Sequence, residues 1–215
     1  MLARENPFAS HRLHGLRFRL PGVDWAGLER RWHELGRRAA IVGPEGSGKT
    51  TLLEEWRQRL EAAGWRVRLW RLTRERRRPD RARRPAFWTV PAADELILLD
   101  GAEQLSWWAW RAWLRRMRPA HGIVVTTHRP GRLPTLLECR TTPALLDELV
   151  AELLGGSSPA VRRLNRRWFR RHEGNLRLVL RAWYDLCARR PFPPVVSCPA
   201  SPAAGQKAVC DRKVA

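Results

Sequence analysis

The sequence predicts an α/β fold: a mostly parallel sheet with helices on both faces, followed by a small all-helical unit. Short, wholly apolar runs at residues 39–42, 96–99 and 123–125 lack the alternation of a half-exposed strand, which marks strands covered on both faces. Stretches of helical spacing separate these runs, so strands and helices alternate as in βαβ units. After Pro143 the pattern becomes helical only.

Residues 1–24 contain Pro7, Gly15, Pro21 and Gly22 and read as an irregular lead-in, within which 16–20 alternate as a short edge strand would. Residues 25–35 set Trp25, Leu28, Trp32 and Leu35 at helical spacing. The run 39–42 stops at a Gly-rich loop. A helix then starts at Thr50, with Leu52, Leu53, Trp56 and Leu60 on one face, and Gly64 ends it. Residues 65–72 alternate Trp65, Val67 and Leu69 with arginines, a strand pattern. Residues 73–92, broken by Pro79, Pro85 and Pro91, read as an arginine-rich loop with room for one short turn. The apolar strand 96–100 ends in Asp100. A helix over 106–118, a strand over 123–126 and a short last strand over 136–140 complete the sheet.

In the helical unit, the first helix (144–154) stops at Gly155-Gly156. Ser158 caps the second, with Pro159 at its first position, and Asn175 caps the third after Gly174. Residues 191–215, rich in Pro, Ala and Ser and without periodicity, read as a disordered tail. The expected division is a lead-in at 1–24, an α/β core at 25–142, a helical lid at 143–190 and the tail at 191–215.

Gly43-Pro44-Glu45-Gly46-Ser47-Gly48-Lys49-Thr50 matches G-x-x-x-x-G-K-[ST] without a departure, between an apolar strand and a helix. Glycines let such a loop curl so that successive N–H groups point at phosphate oxygens. The helix that begins there adds its positive end. Lys49 would bridge the β- and γ-phosphates, Thr50 would place its hydroxyl on Mg²⁺, and Thr51 completes the segment that contacts nucleotide. An inert turn would need no Lys-Thr after the last glycine.

Asp100, at the end of the most apolar strand, has the form of a carboxylate that holds Mg²⁺ through water opposite Thr50. Hydrolysis also needs a group to orient the attacking water. The position after Asp100 is Gly101, and the nearest acid is Glu103, followed by Gln104. Glu103 reads either as that water-orienting group or as a solvated glutamate favoured by a helix start. Thr126-Thr127-His128 ends the next strand. Thr127 and His128 are both candidates to sense the γ-phosphate, and a surface histidine before Pro130 is the alternative for the latter.

The chain of 215 residues carries 41 Lys+Arg against 21 Asp+Glu, a formal charge of +20. Only Lys49, Lys207 and Lys213 are lysines, so the positive charge is nearly all arginine. A charge of this size suits a nucleic-acid or acidic partner, or reflects a compositional bias toward arginine. Arg74, Arg76, Arg77, Arg78, Arg81, Arg83 and Arg84 concentrate it in a loop expected at the carboxyl edge of the sheet, where a polyanion would meet the nucleotide. Trp107, Trp108, Trp110 and Trp113 crowd one helix among further arginines. They read as a stacking platform for single strands or a protein, or as half core and half compositional excess. No apolar run is long enough to span a membrane, and no apolar leader region opens the sequence. Cys139, Cys187, Cys198 and Cys210 form no C-x-x-C pair. A reduced, cytoplasmic protein is the expectation.

On these residues the chain resembles the P-loop ATPases of the AAA+ type. The loop through Thr51 is also similar to that of RecA-type ATPases. Gly174-Asn175-Leu176-Arg177 resembles the sensor-2 motif of AAA+ lids, in which an arginine reaches over the nucleotide, and Arg177 is the residue that corresponds. Asn6-Pro7-Phe8 is similar to the lead-in of bacterial ATPases of the ExeA and TniB kind. The resemblance covers about residues 6–190 and implies a three-layer P-loop NTPase with sheet order 5-1-4-3-2. Gly101 after Asp100, the short segment before residue 96 and the lack of a distinguishable arginine finger depart from it.

The function this implies is that of an ATP-binding, Mg²⁺-dependent, ATP-hydrolysing module acting as a switch on nucleic acid or a protein, with an oligomer compatible. A non-hydrolysing nucleotide-binding scaffold and a small-molecule P-loop kinase are the alternatives. The kinase reading is weakened by a helical unit that follows the last strand instead of interrupting the sheet. No N-K-x-D motif follows any strand, which speaks against a GTPase.

Overall fold

The computed structural model describes residues 3–19, 22, 24–73 and 84–189. One 3₁₀ turn (Ala3–Glu5) and the short helix α1 (Ser10–His14) precede α2 (Trp25–Glu34). The core then runs β1 (Arg38–Val42), α3 (Lys49–Ala62), β2 (Arg66–Arg71), α4 (Arg84–Phe87), β3 (Glu95–Asp100), α5 (Trp107–Arg116), β4 (Gly122–Thr127) and β5 (Thr135–Glu138). Three helices follow, α6 (Pro143–Leu154), α7 (Pro159–Arg171) and α8 (Leu176–Arg189).

The five strands form one sheet in the order β2-β3-β4-β1-β5, the expected 5-1-4-3-2 read from the other edge. Every pair is parallel. Alternate residues of each strand face opposite layers. Ala39 and Ile41 of β1 pack with Leu96, Leu98 and Val124 against Leu28, Trp32, Leu52 and Trp56 of α2 and α3. Ala40 and Val42 pack with Ile97, Leu99, Ile123 and Val125 against Trp110, Trp113 and Met117 beyond the sheet's other face. Both faces are covered, which is why the central runs of β1, β3 and β4 are apolar.

The lid has its own core of Leu146, Val150, Val161, Val179 and Trp183, and Phe8 of the lead-in belongs to it. Phe8 is 1% exposed and stacks on Trp183 at 5.5 Å. Buried Asn6 donates from Nδ2 to the Tyr184 carbonyl (2.9 Å) and accepts the Phe8 N–H (2.9 Å). Asn6-Pro7-Phe8 thus clips the lead-in onto the lid.

One expectation is corrected. Residues 16–19 join no strand. The Phe18 N–H donates to the Glu55 carboxylate (2.9 Å), and Arg19 pairs with Glu148 and Glu152 of α6, so side chains hold this segment where a ladder was expected. Within the stretch 73–92 the short turn is α4, which places Phe87, 1% exposed, in the core beside Trp113. Arg74, Arg76, Arg77, Arg78, Arg81 and Arg83, and the tail 191–215, lie outside the described residues.

The crossover from β4 to β5 is residues 128–134 and contains no helix, whereas parallel connections usually take a dozen residues or more. Edge strand β2 carries Arg66, Arg68 and Arg71, which pair with Asp94 (3.5 Å), Glu95 (2.6 Å) and Glu54 (2.5 Å). Among the described residues no helix is long and apolar enough to cross a membrane.

Candidate nucleotide-binding site

β1 ends at Val42, and the chain turns at once through the glycine loop into α3. The Gly43 N–H is held by the Thr127 carbonyl (3.1 Å), which ties the loop to the end of β4. Gly46 and Gly48 adopt φ of +75° and +87°, a left-handed backbone that other residues resist. A Cβ at Gly46 would run into the Asn175 side chain, so the loop closes against the start of α8.

Lys49 is 7% exposed, and its Nζ donates to the carbonyls of Gly43 and Pro44, both at 2.7 Å. Burial lowers its pKa, opposed by the negative charges of Glu103, Asp100 and Glu45. This is an ammonium stripped of water and held by neutral dipoles, a group whose charged form gains from any anion that reaches it.

Thr50 Oγ1 donates to Asp100 Oδ2 (2.9 Å), which joins the two motifs across α3 and β3. The other oxygen of Asp100 accepts from Thr126 Oγ1 (2.6 Å), and that hydroxyl in turn accepts the Gly101 N–H (2.9 Å). Thr126 therefore fixes both the carboxylate and the turn after it. Gly101 has φ of +85°, and a Cβ there would meet the Leu72 carbonyl, so this position excludes the glutamate common after such an aspartate. The chain leaves β3 through a 3₁₀ turn, Ala102–Gln104, and presents Glu103. Glu103 Oε1 lies 3.3 Å from His128 Nε2, while its buried Oε2 has no hydrogen-bond partner.

These residues line a cleft of about 1010 Å³ between core and lid. Glu45, Gly46, Ser47, Gly48, Lys49, Thr50 and Thr51 form its floor, with Asp100 and Glu103 on one side. Arg177, exposed at the second position of α8, lines the lid side. Thr127 is a correction: Thr126 and His128 reach the cleft and Thr127 does not, its hydroxyl donating to the Arg129 carbonyl (2.8 Å). Gly43 and Pro44 serve through backbone, Gly43 abutting Cys139 so closely that no side chain fits. Sequence reasoning missed Thr126 and the lead-in wall formed by Leu13, Leu16, Phe18 and Arg19. Phe18 lies against Gly48, where a Cβ would come within 3.1 Å of its ring.

The donor set fits a magnesium nucleotide. A hydroxyl and a carboxylate meet beside a loop of left-handed glycines and a buried ammonium, the chemistry of a phosphate cradle with a hard cation. Among the described residues no group of three or more His, Cys, Asp or Glu side chains stands ready to hold a metal. The cation would rest on Thr50, Asp100 and the phosphates themselves.

No protein-family model and no curated protein matches the sequence. Among solved structures, the replication initiator DnaA bound to AMPPCP and single-stranded DNA aligns over 81% of this chain with TM-score 0.56 and 15% identity. The two share a fold. This chain spans 64% of that DnaA chain. A DNA replication initiation factor aligns over 75% of this chain and 61% of its own at TM-score 0.44 and 15% identity. A HORMA–CdnC–Trip13 complex from E. coli MS115-1 aligns over 60% and 58% at TM-score 0.39 and 22% identity. The shared fold agrees with the three-layer α/β architecture and helical lid that the AAA+ resemblance implies.

Proposed function

We propose that the chain is an ATP-binding, Mg²⁺-dependent ATPase module of the AAA+ type that acts as a switch on nucleic acid or a protein partner. The observation that carries this reading is the Thr50–Asp100 hydrogen bond of 2.9 Å beside the glycine loop, which sets the two magnesium-directed groups face to face. The Asn6-Pro7-Phe8 lead-in supports a place near the ExeA and TniB ATPases, and the Gly174-Asn175-Leu176-Arg177 turn supports the AAA+ reading.

Loop N–H groups and Lys49 would hold the β- and γ-phosphates, Lys49 exchanging its two carbonyls for phosphate oxygens. When bound, Mg²⁺ supplies neutralising charge to those phosphates. Thr126 keeps Asp100 aimed at Thr50. Glu103, with one carboxylate oxygen partnerless and the other near His128, would accept a hydrogen bond from the attacking water and set its direction. Arg177 would reach the γ-phosphoryl group from α8, whose start already abuts Gly46.

Phosphate release, measured alongside thermal unfolding, tests the reading. Mg-ATP at about 100 times its Kd should add roughly 2.7 kcal/mol to the wild type, and Lys49→Ala should abolish that gain. Glu103→Gln should keep the gain and lose turnover about 10²-fold. ATP stabilisation without phosphate release, with or without DNA, RNA or a captured partner, would establish the non-hydrolysing scaffold instead.

A further inference from the structure

The crossover 128–134 is seven residues long and contains no helix. A strand of β4's length advances about 20 Å, so a connection this short must run nearly straight back to the start of β5. Between it and α5 lies a groove of about 870 Å³, separate from the phosphate loop. Leu133 packs on the core beneath it. At its upper end the groove meets the nucleotide cleft, where Glu103 and His128 line both.

Arginine dominates this groove. Arg38, Arg111, Arg115, Arg118, Arg129 and Arg132 line it, and among the described residues none of them forms a salt bridge. Glu103 is the single acid of the lining. Buried Nη1 atoms of Arg38 and Arg132 have no hydrogen-bond partner. Both guanidiniums are held by backbone instead, Arg38 by the carbonyls of Arg118 (2.8 Å) and Ala120 (3.1 Å), Arg132 by that of Leu105 (2.7 Å). Leaving buried charged donors unpaired is costly, and an anion would satisfy them.

The groove also has aromatic faces at its rim. Trp107 lines the groove and is 55% exposed, and Trp108, 78% exposed, stands beside it in edge contact at 4.6 Å. Arg111 sits over Trp107 at 5.0 Å. Acidic protein segments would use the charge and leave the indoles idle. Phosphates spaced by bases use both, since bases stack on aromatic rings regardless of sequence. A duplex keeps its bases inside.

We infer that this groove binds single-stranded nucleic acid through arginine–phosphate contacts and stacking on Trp107 and Trp108. This gives the partner of the proposed switch a chemical class and rests on that reading for its link to ATP. The site itself needs no nucleotide.

Fluorescence anisotropy with labelled oligothymidylate, in the absence of ATP and over a series of salt concentrations, is the test. The wild type should bind with a steep salt dependence. Trp107→Ala with Trp108→Ala should weaken binding roughly tenfold or more. Arg111→Ser with Arg115→Ser should weaken it and flatten the salt slope by about 0.7 per lost phosphate contact. Lys49→Ala should bind as the wild type does, so a failed ATP site and a failed groove read out separately. The substituted residues are exposed, and retained thermal stability confirms that the variants fold. Unchanged affinity and slope in both double variants overturns the inference. So does equal competition by polyglutamate, which points to an acidic protein, or sedimentation in which the tryptophan variants lose self-association without losing oligonucleotide.

Discussion

Asp100 has both carboxylate oxygens committed, one to Thr50 and one to Thr126, and the second partner was the less visible. Thr126→Val keeps the shape and removes the hydroxyl. The Gly101 N–H then loses its acceptor in a buried place, a cost of about 1–3 kcal/mol, and Asp100 is freed to turn from Thr50. Thermal unfolding should fall accordingly, and the added stability from Mg-ATP should shrink more than that from ATP with EDTA; an equal response in both would separate Thr126 from the metal side. Cys139 behaves differently. It is buried against the phosphate loop, and desolvation pushes its thiol up to about 11 from 9.0, with Lys49 opposing. A raised folded pKa means stability that is complete below the unfolded value and lost as pH climbs through the folded one. The difference in stability between wild type and Cys139→Ala should therefore hold steady below pH 9 and narrow between pH 9 and about 11. Denaturant melts across that range check it, and a constant difference would falsify the burial account.

At the scale of elements, the lead-in shows what local patterns miss. Residues 16–19 alternate as a strand would, yet their partners are carboxylates on α3 and α6, two elements distant in sequence. Asn6 is the residue that fastens the segment. Asn6→Ala leaves the Phe8 N–H without its acceptor and takes a second donor from the Tyr184 carbonyl, which should destabilise the lid by about 2 kcal/mol. It should also raise the Kd for ATP, because the wall at Leu16 and Phe18 loosens; isothermal titration showing unchanged affinity would confine Asn6 to the lid. The phosphate loop, by contrast, was legible in full, because its geometry is dictated by glycines and a lysine adjacent in sequence. The choice between Thr127 and His128, and the part played by Thr126, was not. A strand turns successive side chains to opposite faces, so an offset of one residue decides everything, and only the pairing of β4 with β1 and β3 sets it. The tryptophans of α5 divide as helical spacing divides them: Trp110 and Trp113 are 4% and 0% exposed, while Trp107 and Trp108 face solvent.

For the whole molecule, the alternating strands and the helical unit could be anticipated because apolar runs and Pro-capped helices announce themselves, whereas the sheet order was implied only by the AAA+ resemblance. The cleft could not, since it is assembled from a lead-in, a loop and a helix brought together by three separate cores. Separate cores imply separable stability. Hydrogen exchange without nucleotide should find α6, α7 and α8 opening independently of the sheet. Mg-ATP should then raise protection at the start of α8 and in the glycine loop together, because Asn175 and Gly46 already touch; protection gained by the loop alone would place the lid outside the switch. The arginine edge of the sheet bears on assembly in another way. A sheet edge is a template for any passing strand, and β2 would be the natural place for copies to join into one continuous β-structure. Here a newcomer would have to strip water from the Arg66, Arg68 and Arg71 pairs along that border, and burying such ions seldom returns what it costs. The β2 border thus resists strand-to-strand joining, and copies that meet along it must do so through helices and loops.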